Sequence, residues 1–349
     1  MPCHPIHRGA LAALLVPAIL TACGGGTRQA ESGPGEQLAV TDFKPDQGRE
    51  PVDEAALDEK VVRPDELPQA HRDLLDAWRI GGFTWEVHRG EVLSDPALTT
   101  FLVENLLAVI FQEHNAISGA AHGAVTGEAL AARRSAYARA RAELPLLGEP
   151  AAVALAEVMA LADDVLFALV RDILDDMGPD GAPAVAGLLD RERALTRYRA
   201  ALVLGRLPSG GLREAEVHEA LVAASASDGS EIVRVQATRS VGERALWSMT
   251  GRDLTEVDLT PSRLALEERL QDGAEAVRLE ALAGLSLLGD VGALPALVAF
   301  GQDARRDERL KELSRAARTV ATLAGRDLGA DPGAWRSWWE SGGTPVEGS

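Results

Sequence analysis

The stretch "VRLEALAGLSLLGD", Val277 to Asp290, decides the fold because its pattern returns three more times. "TRYRAALVLGRL" (Thr196 to Leu207), "VRVQATRSVGER" (Val233 to Arg244) and "LSRAARTVATLAG" (Leu313 to Gly325) align with it. Alanine recurs at Ala200, Ala237, Ala281 and Ala317, and an apolar residue follows four positions later, at Leu204, Val241, Leu285 and Ala321. A spacing of four puts both on one helical face. Three units carry arginine three residues before the alanine, at Arg197, Arg234 and Arg278, and the fourth has Ser314 there. The alanines are 37, 44 and 36 residues apart, the length of a repeated helix pair. Each such unit exposes an apolar face that its neighbour must cover, and small residues at fixed positions let adjacent helices approach closely.

These segments resemble the HEAT-like repeats first associated with phycobilisome lyases, whose unit reads roughly VR..A...LG.LGD. The Val277 unit, followed by "ALPALVAF", is close to that pattern, and the others are degenerate. The resemblance covers about Ala182 to Gly325. It implies an all-α fold, an α-solenoid of HEAT-like helix pairs preceded by additional N-terminal helices. It says little of chemistry, since such arrays serve as scaffolds in unrelated systems. A second echo supports the array: "SMTGRDL" (Ser248 to Leu254) and "TLAGRDL" (Thr322 to Leu328) place Gly251 and Gly325 74 residues apart, two units of 37. The array is expected over residues 179–328, with an N-terminal helical region at 69–178.

In that N-terminal region, "SDPALTTFLVENLLAVIFQEH" offers Ser94 or Asp95 as a cap and Pro96 as the first helical residue. Its apolar run from Leu98 to Phe111, with Glu104 and Asn105 inside, is too short for a membrane span and reads as a core helix. Gly127 to Leu144 is a second amphipathic stretch. Pro150 to Met177 keeps helical spacing throughout and is expected to be one helix ending at Gly178. Only "FTWEVH", Phe83 to His88, alternates like a strand, and one such run makes no sheet.

The first 22 residues have the form of a leader. Arg8 is followed by an apolar run from Ala10 to Leu20, 11 residues long, where a span needs about 20. Leu20-Thr21-Ala22-Cys23 resembles the lipobox of bacterial lipoproteins at all four positions. The resemblance implies lipid attachment at the Cys23 thiol, cleavage after Ala22 and acylation of the new amino group. Two or three acyl chains anchor stably where one gives marginal binding. Cys3 falls in the leader, so Cys23 would be the only cysteine of the processed chain, and no internal disulfide is expected. Residue 24 is glycine rather than the aspartate that favours inner-membrane retention in Gram-negative families. The expected location is therefore the cell envelope, with the outer membrane favoured.

Residues 23–68 are rich in Gly, Pro, Asp, Glu and Gln, with too little apolar surface to offset their ordering entropy. They read as an acidic tether. Removing the leader, whose only charged side chain is Arg8, leaves 34 basic against 53 acidic side chains, a balance of −19. Such a chain is repelled by nucleic acid and by anionic headgroups. No nucleic-acid partner is expected, and the membrane contact falls to the acyl chains.

At the other end, residues 329–349 contain "GADPGAWRSWWESGG", where Asp331 caps a short helix that Pro332 begins. This ending resembles the tail of HEAT-repeat proteins from some environmental bacteria. Trp335, Trp338 and Trp339 share one face at i, i+3 and i+4. They either close the last repeat or form a sugar- or protein-binding face. Arg197, Arg234 and Arg278 are expected to pair with acids of neighbouring loops, such as Asp228, Asp272 or Asp290. Asp163, Asp164, Asp172, Asp175 and Asp176 lack the spacing of a calcium loop and fit a solvated face. His114, beside Glu113, and His122 lack the spacing of a zinc-hydrolase helix, and His71, His88 and His218 stand singly. No Gly-x-Ser-x-Gly elbow or phosphate-binding glycine loop occurs. Neither metal nor cofactor is expected. The sequence points to a non-catalytic, lipid-anchored scaffold or adaptor that binds another protein. Weaker alternatives are a structural lipoprotein that grips cell-wall glycan and a lyase- or chaperone-like enzyme.

Overall fold

The computed structural model describes residues 68–120, 127–207, 212–249, 258–290 and 292–342. The leader, Cys23, the tether, His122, the Gly-Arg-Asp-Leu copy at 251–254 and the tail from residue 343 lie outside them. The described residues form fifteen α-helices and no strand, so the chain is all-α. Its contacts divide it into two compact units, one running to Arg141 and the other starting at Ala142. None of the described helices is, singly, long and apolar enough to cross a membrane.

The first unit contains α1 (Gln69–Ile80), α2 (Gly82–Ser94), α3 (Pro96–Ala120) and most of α4 (Gly127–Leu146). Asp95 caps α3, its carboxylate accepting from the Ala97 amide at 2.9 Å, and Pro96 takes the first helical position. Leu102, Val103, Leu106, Leu107, Ile110 and Phe111 of α3 are buried, as are Trp78 of α1 and Trp85 and Val92 of α2. The strand-like "FTWEVH" is helical, within α2. Its buried residues Trp85 and Val92 lie seven apart, two helical turns on one face, while Phe83 and Val87 face solvent. Alternation over six residues is weak evidence when no second strand can pair with it.

The second unit begins with α5 (Gly148–Leu161) and α6 (Asp164–Met177), where the sequence suggested a single helix. The break falls at Ala162 and Asp163. Asp163 is extended and its carboxylate accepts from the Leu166 amide at 2.8 Å, a cap that starts a new helix. Apolar spacing continues across the break, which hides it. The short α7 (Ala182–Ala186) follows, flanked by two 3₁₀ turns. Helix α5 packs on α6, α7 and α8, which joins it to the second compact unit.

The remaining helices are α8 (Ala194–Leu204), α9 (Leu212–Ser227), α10 (Glu231–Met249), α11 (Thr260–Arg269), α12 (Glu275–Leu287), α13 (Ala293–Arg306), α14 (Leu310–Ala324) and α15 (Pro332–Glu340). The four aligned segments supply α8, α10, α12 and α14. Helix α10 packs on α8 and α12, and α12 packs on α14, making one continuous row. Helices α9, α11 and α13 lie against that row, and α15 lies on α13 and α14.

Candidate interaction surface along the helix row

Small residues set how closely the row packs. Ala200, Ala237 and Ala281 are completely buried, whereas Ala317 is half-buried. A Cβ on Gly242 of α10 would lie 3.0 Å from the Gly284 Cα of α12, so the two helices meet glycine on glycine.

The repeated arginines tie successive units together. Arg197 donates to both carboxylate oxygens of Asp228, at 2.6 and 2.9 Å, and to the carbonyls of Arg191 and Glu192 at 2.7 and 2.6 Å. Arg234 donates to Asp272 at 3.0 and 3.2 Å and to the Asp228 carbonyl at 2.9 Å. Each aspartate also accepts the backbone amide two residues on, Ser230 or Ala274, at 2.8 Å. One carboxylate thus organises its own loop and the neighbouring arginine. Burial works against ionised Asp228 and Asp272, but hydrogen bonds from Arg197 and Arg234 override it and hold both carboxyls below the usual range.

The third arginine departs from the pattern. Arg278 donates to the carbonyls of Asp272 and Gly273, at 2.7 and 3.1 Å. Asp290, the third of the acids named as candidates for these pairs, instead accepts the Gly292 and Ala293 amides and starts α13. Asp228 and Asp272 stand six residues before Arg234 and Arg278; six before Ser314 stands Glu308, in a left-handed conformation at φ 57°. The last loop is closed differently, by Arg309 on Glu275 at 2.6 Å.

A second set of charges lies inside the row and was not singled out from sequence. Glu280 of α12 is 3% exposed and sits between Arg239 of α10, at 2.7 Å, and Arg315 of α14, also at 2.7 Å. Burial alone would push the Glu280 carboxyl up, but Arg315 and Arg239 hold it below the usual range. Burial pushes Glu243 up, against the pull of Arg239 and Arg315, and it also raises the Tyr198 hydroxyl. Glu280 and its two arginines occupy three different offsets from the repeated alanines, so no shared sequence position exposes them. The one sequence signal is a glutamate inside the apolar run "VRLEALAGL".

Trp335 is fully buried, in the cluster that includes Leu297, Val298, Val320 and Leu323. Its indole N–H donates to the Gly329 carbonyl at 2.7 Å, and a Cβ on Gly301 would collide with the ring. Trp338 and Trp339 are half-buried against the same cluster. Of the acids on α6, Asp163 serves as a cap and Asp172 pairs with Arg171 at 2.8 Å. His71 stacks on Phe101, His88 contacts Glu91 at 3.0 Å, and burial lowers the His218 pKa. Among the described residues no group of three or more His, Cys, Asp or Glu side chains could hold a metal ion. No family model matches the chain, and no curated protein matches its sequence.

Proposed function

We propose that this chain is a lipid-anchored scaffold of the cell envelope that binds another protein along an α-solenoid of HEAT-like helix pairs, without catalysing a reaction. The observation that carries the reading is the stitching of successive units, in phase with the sequence repeat through Arg197 to Asp228 and Arg234 to Asp272, and reinforced out of phase by Arg239 through Glu280 to Arg315. Such fixed neighbour contacts give a stiff, extended surface, which suits recognition of a partner by shape. Cys23, preceded by Leu20-Thr21-Ala22, supplies the anchor in this reading. The glycan-binding alternative has only the half-buried Trp338 and Trp339 to offer, since Trp335 is enclosed. Two measurements test the proposal. Cys23→Ser should abolish acylation and leave the leader uncleaved at this site; a lipid-modified, processed variant refutes the anchor. Affinity capture from native envelopes should recover a defined partner with the full chain and lose it without residues 179–328; retention without them refutes the repeat surface.

A further inference from the structure

Ile80 ends α1 and Phe83 lies in the first turn of α2, and between them Gly81 and Gly82 hold φ of 72° and 63°. Two successive residues in the left-handed region suit glycine and strain most other side chains. The corner is therefore sharp and specified by sequence. Phe83 and Ile80 are the most exposed large apolar side chains among the described residues, at 84% and 74%, and Val87 stands one turn further at 51%. Beneath them Trp78 and Trp85 are buried, so the apex rests on a packed base. Guanidinium groups rim it: Arg79 is paired with Asp76 at 3.2 Å, and Arg139 stacks 4.3 Å over Trp78 and donates to the Arg79 carbonyl.

An apolar apex with cations at its base fits the boundary between acyl chains and phosphate headgroups, where both kinds of side chain find partners. Chain length allows it. Residues 23–68 separate the lipobox cysteine from the start of α1, and a chain of that many residues can span up to about 150 Å, so its length does not keep the corner from the bilayer. We propose that the Ile80–Phe83 corner enters the headgroup region of the bilayer that holds acylated Cys23, as a second contact that orients the protein. This rests on the lipid-anchor reading. The acidic balance of the chain restricts the contact to membrane poor in anionic lipid.

The test separates the corner from the anchor. The processed chain, residues 23–349 with Cys23→Ser, which carries neither leader nor acyl chains, is partitioned into vesicles of phosphatidylethanolamine and phosphatidylcholine. Adding Ile80→Ser and Phe83→Ser should lower partitioning roughly tenfold, and thermal melts check that these exposed substitutions leave the fold intact. Unchanged partitioning overturns the proposal. In vesicles with brominated acyl chains, emission added by Phe83→Trp should be quenched, whereas that added by Leu93→Trp, at an exposed site ten residues further along α2, should not. Equal quenching at both sites overturns it. A dimer in sedimentation equilibrium that Phe83→Ser dissolves would assign the corner to a second copy and also overturn it. The mass of the wild-type N-terminal peptide tests the anchor by itself.

Discussion

Gly301 and Trp335 meet so closely that a single methyl group should have opposite effects depending on the ring above it. In the wild type, Gly301→Ala places a Cβ against Cζ3 of an indole held by the Gly329 carbonyl and walled in by apolar neighbours. Overpacking of this kind costs about 1–3 kcal/mol. Trp335→Ala empties the pocket and should cost about 3–5 kcal/mol. Once the ring is gone, the same Gly301→Ala change adds a methyl to an interior position of α13, where alanine is favoured over glycine by about 0.5–1 kcal/mol. Gly301→Ala should therefore destabilise the wild type and stabilise Trp335→Ala, with a coupling of roughly 2–4 kcal/mol between the sites. Urea unfolding of the four proteins in a double-mutant cycle measures it. Equal effects of Gly301→Ala in both backgrounds would refute the packing argument. A cost below 1 kcal/mol for Trp335→Ala would refute the capping role of the tryptophan.

Glu280→Met should destabilise the chain by about 3–5 kcal/mol, because it leaves Arg239 and Arg315 half-buried without their shared carboxylate; a cost under 1 kcal/mol in denaturant unfolding contradicts this. The Glu280 carboxyl is depressed in the folded chain, so its contribution is present above the ordinary value near 4.5 and is lost as pH falls through the lower folded value. Glu104, which burial pushes up to about 7, has the opposite sign: the folded state holds its proton more tightly, so stability falls as pH rises from 4.5 to about 7. Glu104→Gln should then raise stability at pH 8 by about 1–2 kcal/mol, after allowance for its partial exposure, and change little at pH 4. Parallel melts at the two pH values decide, and equal shifts count against a buried carboxylate.

Helical character and several helix starts were legible in the sequence because they are local. A period of 3.6 residues, or a cap such as Asp95 before Pro96 or Asp331 before Pro332, is complete within a turn or two. The Asp331 carboxylate accepts the Gly333 amide at 3.1 Å, a bond two residues long. Repetition made Arg197 and Arg234 conspicuous, and their aspartate partners recur at a fixed offset before the next arginine. The same regularity misled at Arg278, where the matching position of the following loop, six residues before Ser314, carries Glu308 with positive φ instead of an aspartate. It also concealed the break at Asp163, since two helices that bury one continuous face share one apolar period. Only tertiary structure decided the rest. Glu280 meets arginines 41 residues behind and 35 ahead, and Trp335 fills a space left by a glycine on another helix. Such pairings depend on how whole helices approach, and the partners share no repeat position, so no local pattern announces them. A charge at an apolar helical position reads as a flaw until packing delivers its counter-charges, because burial without them would be prohibitive.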